Sequence, residues 1–179
     1  MKCYSCDGYI MKPIKLAHGL PALQCNKCGG THIDLLSYRV WRDTGSSADS
    51  MVIVSEAIPT DNKKALVCQR CSKIMLKYKI TTEYENYIDL CTTCDDAWLD
   101  GGEWQLLGAL ALQDKLAHIM TEPWQNRLKK EIAEENFTNK YQALFDETDF
   151  AKINEISDWL REHENRDELF NYLRIKSQN

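Results

Sequence analysis

The sequence predicts an α+β protein, in which two small cysteine-rich β units in tandem precede an α-helical C-terminal region. Three observations predict this fold class. All eight cysteines stand in four Cys-x-x-Cys pairs within residues 1–94, and none occurs in the last 85 residues. Apolar and polar residues alternate between the pairs, as in half-buried strands, and apolar residues recur at helical spacing after residue 103.

Composition describes an ordinary globular chain with room for one domain or for two to three small ones. Of its 179 residues, 44% are hydrophobic and 27% are charged. The longest apolar run is far too short to span a bilayer, so no membrane partner is predicted. Residues 1–6 lead straight into a cysteine pair without the apolar core of a signal peptide, which favours a cytoplasmic localisation.

The first cysteine segment, residues 1–42, has the layout of a hairpin with a cysteine pair at each end. Residues 9–16 have strand character and residues 22–24 return to the second pair. Gly29 follows that pair and supplies the positive φ that a tight turn around a metal needs. Eighteen residues separate the two pairs, whose members are Cys3, Cys6, Cys25 and Cys28.

A connector is predicted at residues 43–64. Its first part, residues 43–50, is rich in small and polar residues and is typical of a flexible linker. Residues 51–54 are apolar and predict a short strand between the two cysteine segments.

The second cysteine segment, residues 65–104, repeats the first. A strand is predicted around residues 76–80, where apolar residues alternate with lysines, and residues 84–90 form the returning strand. Aligning the two segments on their cysteines places His32 on Trp98. Nineteen residues separate the two pairs of this segment, whose members are Cys68, Cys71, Cys91 and Cys94.

The stretch after the last cysteine is predicted to join the second segment to a helix. Asp95 stands where a residue with positive φ is needed, and Trp98 with Leu99 offers apolar cover for a metal. Asp100 and Glu103 have the spacing of an N-cap and its capping-box partner.

These pairs predict two metal sites, with Cys3, Cys6, Cys25 and Cys28 in one and Cys68, Cys71, Cys91 and Cys94 in the other. Disulfide scaffolds scatter their cysteines, whereas paired cysteines at short spacing favour metal. Four thiolates suit a tetrahedral Zn²⁺, so we predict two zinc ions, one in each of two β zinc ribbons in tandem. A rubredoxin-like iron site uses the same ligands and stays open as an alternative.

Such sites are predicted to be structural, with no catalytic residues. All four positions of each site are thiolates, which leaves none for water or substrate. A segment of this size buries too little apolar surface to fold alone, so metal binding has to supply much of its folding free energy. A thiol redox enzyme is the least favoured alternative, because the βαβ setting of a thioredoxin-like motif is absent.

Residues 105–179 are predicted to be helical. One helix is expected from Trp104 to Met120, and a second over residues 124–137. Asp149 is expected to cap a third helix, and Asn165 to open a last one that pairs with the third as a helical hairpin.

Net charge argues against nucleic acid as the main partner. Residues 1–100 carry twelve basic and twelve acidic residues, and residues 101–179 carry ten against fifteen, so the net charge of −5 lies in the helical half. A basic excess drives binding to phosphates, and neither half has one. A local face for single strands stays open as an alternative, formed by Lys73, Lys77, Lys79, Tyr78 and Tyr84.

The second segment resembles the bacterial TFIIB-type zinc-ribbon family, whose pattern is Cys-x-x-Cys-x-x-x-Trp-Leu-Asp-x-Gly-Glu after a first cysteine pair. The matching residues here are Cys91, Cys94, Trp98, Leu99, Asp100, Gly102 and Glu103. The first segment looks like a divergent copy that lacks the Trp, the Gly and the Glu. The resemblance covers about residues 1–105 and implies zinc binding and a link to transcription, but no enzyme activity.

We therefore predict a non-catalytic zinc-binding protein whose ribbons and acidic helices mediate interaction with another protein, with an accessory or regulatory role in transcription. The alternative is a zinc-ribbon protein that binds single-stranded nucleic acid. The sequence does not identify the partner.

Overall fold

The computed structural model describes residues 1–44 and 61–178, which form two compact units. The first, here called the sheet unit, is Met1–Lys130, and the second, the helical unit, is Glu131–Asn179. Antiparallel strands and α-helices make this an α+β protein, as the sequence predicts. Most of the predicted connector, including its strand at residues 51–54, lies outside the described residues.

The first cysteine segment folds as three strands and a helix: β1 (Lys12–Lys15), β2 (Pro21–Gln24), β3 (Thr31–Asp34) and α1 (Leu35–Asp43). β3 was not predicted, because three of its four residues are buried and the alternation that marks a half-buried strand is missing. The Asp34 carboxylate accepts a hydrogen bond from the backbone N–H of Ser37 and so caps α1.

The second cysteine segment repeats this order: β4 (Leu76–Lys79), β5 (Tyr87–Cys91), β6 (Asp96–Leu99) and α2 (Glu103–Ala109). Strand β4 lies where the alternating pattern predicts it, and β5 overlaps the predicted returning strand at residues 84–90. β6 was missed for the same reason as β3, since all four of its residues are buried.

One six-stranded antiparallel sheet joins the two segments in the described part of the chain, with the order β1-β2-β3-β6-β5-β4. The sequence predicts two separate units in tandem, and the difference lies in the pairing of β3 with β6. In that pair His32 lies opposite Trp98, the two positions that the sequence repeat aligns. The segments are therefore related by a local two-fold axis. β3 and β6 would each be the edge strand of a separate segment, and here each provides hydrogen-bond partners for the backbone of the other.

The two faces of the sheet carry different cores because successive residues of a strand point to opposite sides. Ile33, Ala97 and Leu99 belong to a large core that also contains residues of α1, α2 and α3. Trp98 points the other way, into a second cluster that contains cysteines of both segments. The helices thus cover one face, and the cysteines cover the other.

The predicted helix from Trp104 to Met120 is interrupted. α2 ends at Ala109, Ala111 has a positive φ of 53°, and α3 (Leu116–Ile119) begins after a 3₁₀ turn. The break is stabilised by the buried Tyr38 of α1, whose hydroxyl donates to the carbonyl of Gln113 and accepts from the N–H of Leu116. Tertiary packing therefore overrides the helical spacing of the apolar residues.

α4 (Glu122–Gln142) begins as predicted, with Pro123 in its first turn, and continues past residue 137. The amide of Gln125 donates to the carbonyl of Lys79 and accepts from its N–H, so the start of α4 satisfies the edge of β4. None of the helices in the described part of the chain has the length and apolar character that a membrane crossing requires.

Two further helices, α5 (Glu147–Glu162) and α6 (Arg166–Lys176), contact one another as the predicted hairpin. Their caps differ from the prediction. Asp146, and not Asp149, caps α5, since its carboxylate accepts from the N–H of Asp149. Asn165 precedes α6 but forms no side-chain capping hydrogen bond.

Candidate metal centres

The eight cysteines meet in two groups of four that could each hold a metal ion. Within each group, the sulfur atoms all lie within 4.8 Å of one another. The Sγ atoms of Cys3 and Cys28 are 3.7 Å apart, and those of Cys71 and Cys91 are 3.5 Å apart. A tetrahedron with Zn–S bonds of about 2.3 Å has sulfur–sulfur edges of roughly 3.8 Å. These two distances are close to that edge length.

A residue with positive φ directly follows three of the four cysteine pairs and turns the backbone around the site. Gly29, Ser72 and Asp95 come directly after the second cysteine of a pair, with φ values of 72°, 57° and 56°. Each donates its N–H to the carbonyl of the first cysteine of that pair at 2.8–2.9 Å. The sequence predicts this role for Gly29 and Asp95 but gives no such signal for Ser72, since serine has no particular preference for positive φ.

Backbone N–H groups point at sulfur in both groups. Those of Ser5 and Cys6 lie 3.4 and 3.3 Å from Cys3 Sγ, and that of Arg70 lies 3.4 Å from Cys68 Sγ. Four thiolates around Zn²⁺ carry a formal charge of −2, which such donors offset. The turns after the cysteines thereby provide both the geometry and part of the electrostatic compensation.

The thiols of the metal-free groups differ in their readiness to ionise. Burial raises the pKa of Cys3 and Cys28 to about 11, while the backbone N–H of Lys73 lowers that of Cys71 to about 7. Zinc binds thiolates, so loading has to displace protons from the thiols with raised pKa. Acid therefore favours release of the metal.

Both cysteine groups share one apolar shell around Trp98. Trp98 is fully buried, and the ring of Tyr4 lies 5.0 Å from it and stacks on His32 at 5.9 Å. The sequence predicts that Trp98 covers its own site, but not that it also contacts the other. The residues of this shell are Cys3, Tyr4, Met11, Cys25, Leu66, Cys68, Met75, Cys91 and Trp98.

Two glycines allow the segments to approach this closely. A Cβ on Gly30 would lie 2.1 Å from Cζ2 of Trp98, so the indole occupies the space of a side chain there. A Cβ on Gly101 would lie 2.2 Å from the carbonyl oxygen of Cys28. Each segment therefore rests against the cysteine region of the other, and these contacts require glycine at both positions.

The buried Asp96 adds a polar link between the segments. Its Oδ1 lies 3.0 Å from Nη1 of Arg70 and 3.2 Å from Nε2 of His32, and its Oδ2 lies 4.0 Å from Cys68 Sγ. Arg70 belongs to the second cysteine group's turn, whereas His32 belongs to β3. The Asp96 carboxylate therefore lies close to one residue of each cysteine segment.

The predicted capping box of Asp100 and Glu103 is wrong in one half. α2 has Gly102 as its N-cap, with a φ of 93°, and Glu103 does accept from the N–H of Asp100 at 2.7 Å. The Asp100 carboxylate instead accepts from Nε1 of Trp98 at 2.9 Å and from the N–H of Asn62 at 2.6 Å. Asp100 therefore fixes the indole of the shared shell, a role that local sequence does not reveal.

Glu103 anchors α2 to the second hairpin. It is fully buried, and its Oε1 accepts from the side-chain amide of Asn86 and from the N–H of Tyr87. Burial raises the pKa of Glu103 to about 8, and the N–H donors only partly offset that rise. Carboxyl oxygens of Asp61 and Asp100 lie within 4.8 Å of one of its own oxygens, so three carboxyl groups are concentrated in this region.

Lys77 lies beside this region and supplies compensating positive charge. Its Nζ is 3.3 Å from Asp61 and 3.1 Å from Asp89. Burial raises the pKa of Asp89 to about 6, although Lys77 acts in the opposite direction. Lys77 therefore has a structural partner on each side.

The other residues of the predicted nucleic-acid face are dispersed. Lys79 is 8% exposed and donates to Glu85, and Tyr78 and Tyr84 pack partly buried against the helix-side core. Lys73 is exposed and donates to Thr93 beside the second cysteine group. Lys77 and Lys79 both lie near the Tyr87 ring, with Nζ 5.8 and 5.2 Å from its centroid, and carboxylates neutralise both.

No family model, curated protein or solved structure matches this chain.

Proposed function

We propose that this chain is a structural zinc protein, in which two zinc-ribbon modules lie side by side in one sheet and a helical unit contacts another protein. The single observation that carries the proposal is the pair of four-cysteine groups that share one apolar shell. Two ions bound there would stabilise the face of the sheet that carries the cysteines, and the apolar core stabilises the face that the helices cover.

A non-catalytic role follows from the ligand set. Each group offers four thiolates, which close the coordination of a tetrahedral ion and leave no position for substrate or water. The charged groups near the sites include Asp96, whose carboxylate lies within 3.2 Å of both Arg70 and His32. We infer that the ions stabilise the fold and do no chemistry.

An interaction role is supported by the distribution of charge and of exposed apolar residues. The helical unit carries the negative charge of the chain, and large apolar side chains such as Trp159 and Phe170 are 52% and 59% exposed there. Such side chains mark surfaces for partners. The resemblance of residues 91–103 to TFIIB-type ribbons makes the transcription machinery the first place to search for that partner.

The alternative of single-strand binding has less support. Stacking platforms need exposed rings beside unpaired cations. In the predicted face, Tyr78 and Tyr84 pack against the core and two lysines are paired with carboxylates. The thiol redox alternative also requires a reactive pair outside a closed metal site, and all eight cysteines belong to the two groups.

Metal content and stability test the proposal. We expect native mass spectrometry to find two zinc ions, and removal of zinc by a strong chelator to unfold the sheet unit. Cys→Ser replacement in either group should lower the stoichiometry by one ion. If the sheet unit keeps its thermal transition after both ions have been removed, the structural role is excluded.

The interaction role has a separate test. Affinity capture with the zinc-loaded chain from cells of its own source should recover a defined partner. Capture with the chelator-treated chain is the control. Failure to recover any partner at low salt, where electrostatic contacts are strongest, would count against it.

A further inference from the structure

The helical unit carries many large apolar side chains and buries none of them. Among the described residues 131–178, no residue is buried, and ten large apolar side chains are at least 39% exposed. Helices in water gain most of their stability by burying an apolar face. The described part of this unit therefore presents an apolar surface that a partner can cover.

Part of this surface is a groove of about 330 Å³ between the end of α4 and the first half of α5. Phe137, Tyr141 and Phe145 line one side of the groove, and Phe150 and Ile153 line the other. The rings of Phe137 and Tyr141 lie 4.6 Å apart and those of Tyr141 and Phe145 lie 6.3 Å apart, so they form a continuous aromatic wall. A concave apolar site of this kind suits the apolar side chains of an incoming helix.

The charge of the unit selects the chemistry of that helix. Residues 131–178 contain twelve acidic and six basic residues, a net charge of −6, whereas residues 1–130 have a net charge of +1. Three of the six basic side chains already lie within 3.6 Å of a carboxylate of the same unit. The excess negative charge therefore faces solvent, where it attracts a basic surface.

An exposed carboxylate shares a helix face with one wall of the groove. Residues three apart on a helix lie on the same face, so the exposed Glu147 lies on the face of α5 that carries Phe150. An apolar groove on a unit with excess negative charge is complementary to a helix that has apolar anchors between lysines or arginines.

We propose that the α4–α5 groove binds a basic amphipathic helix of a partner protein. This inference rests on the proposed interaction function and names the surface and the partner's chemistry. A second copy of this chain fits less well, because it would bring another net charge of −6 to the same site.

Fluorescence anisotropy with the zinc-loaded full chain tests the groove. The probe is a labelled synthetic helix of roughly 14 residues made of leucine and lysine, and the matched control probe has glutamate in place of lysine. We expect the basic probe to bind at least about tenfold more tightly than the acidic probe, with an affinity that falls as salt rises.

Variants then locate the contact. Phe145→Ser with Ile153→Ser should weaken the basic probe about tenfold, whereas Leu36→Ser with Val40→Ser, which alters exposed apolar residues of the sheet unit, should leave it unchanged. Glu147→Gln should weaken binding without removing any apolar contact. Circular dichroism of each variant verifies that its helices are intact.

Three results would overturn the inference: equal binding of the acidic probe, equal binding by the Phe145/Ile153 variant, or a dimer in light scattering that this variant dissociates. The proposed function fails in a different way. If the wild-type chain captures a partner and the Phe145/Ile153 variant captures it equally well, the groove is wrong and the interaction role stands. If the wild-type chain captures no partner, the interaction role itself fails.

Discussion

Replacing Gly101 by alanine tests whether the second cysteine segment holds the first cysteine group in place. The new Cβ would lie 2.2 Å from the carbonyl oxygen of Cys28, whereas real Cβ contacts essentially never fall below 3.0 Å. The Cβ would therefore be 0.8 Å closer to this oxygen than the shortest real contacts allow. Because the oxygen belongs to the backbone, no change of side-chain rotamer relieves the clash. The peptide that follows Cys28 has to move, and with it one ligand of the first group.

The magnitude follows from the cost of overpacking. Forcing an extra methyl group into a packed site costs about 1–3 kcal/mol, which corresponds to roughly a 5- to 150-fold change in an equilibrium constant. We expect zinc to bind the first cysteine group more weakly by a factor in this range. The second group, whose ligands do not contact residue 101 so closely, should change by no more than about twofold.

Graded exposure to a chelator, followed by alkylation of the freed thiols and peptide mapping, measures each group separately. Gly19→Ala is a control that adds backbone strain without a clash, since Gly19 has a φ of 82° and nothing within 4 Å of its Cβ position. If Gly101→Ala keeps its first-group zinc as well as Gly19→Ala does, the clash with the Cys28 carbonyl does not weaken zinc binding. Equal weakening of both groups would refute the claim of a local effect.

Three further predictions concern the buried polar groups and the shared shell. Glu103→Gln should flatten the dependence of the free energy of unfolding on pH. The pKa of Glu103 is about 8 in the folded state against about 4.5 unfolded, so its stabilising contribution is full below about pH 4.5 and is lost as the pH rises to 8. The change is on the order of 5 kcal/mol. Urea denaturation at several pH values measures this slope, and a parallel slope in both proteins would contradict it. Tyr38→Phe should lower the free energy of unfolding by about 2–3 kcal/mol, because a buried carbonyl and a buried N–H lose their partner; Tyr172→Phe, at an exposed site, is the control for the same urea measurement. Cys68→Ser should also loosen zinc in the first group, by about tenfold, because Cys3 and Cys68 lie in one apolar shell. Thiol alkylation reads this out, and an unchanged rate at Cys3 would show that the two groups are independent.

Much of the architecture near the cysteines could be predicted from the sequence, because it depends on short stretches of chain. Strand β4 follows from alternation, and β1, β2 and β5 follow from their places between the predicted turns and the cysteine pairs. The turn at Asp95 follows from the conformational preference of aspartate. β3 and β6 could not be predicted in this way. They are buried on both faces, so the period that reveals a strand is absent from them.

In the helical part, too, some features could be predicted from local sequence and others depend on long-range contacts. The starts of α4 and α6 and the pairing of α5 with α6 follow from local signals, whereas the break after α2 depends on the hydroxyl of Tyr38, more than 70 residues away in the chain. Both Asp146 and Asp149 are candidates for the N-cap of α5 in the sequence. In the structure Asp146 has the extended backbone conformation of an N-cap, and its carboxylate caps the helix.

Which cysteines meet in each metal-binding group can be predicted from the sequence. Cys-x-x-Cys spacing brings two thiols together within one turn, and the repeat indicates which turns pair. That the two groups share one apolar shell depends on the tertiary structure. That arrangement requires β3 to pair with β6, Gly101 to admit the Cys28 carbonyl, and Asp100 to hold the indole of Trp98. Each of these contacts is long-range or depends on burial, and spacing along the chain records neither.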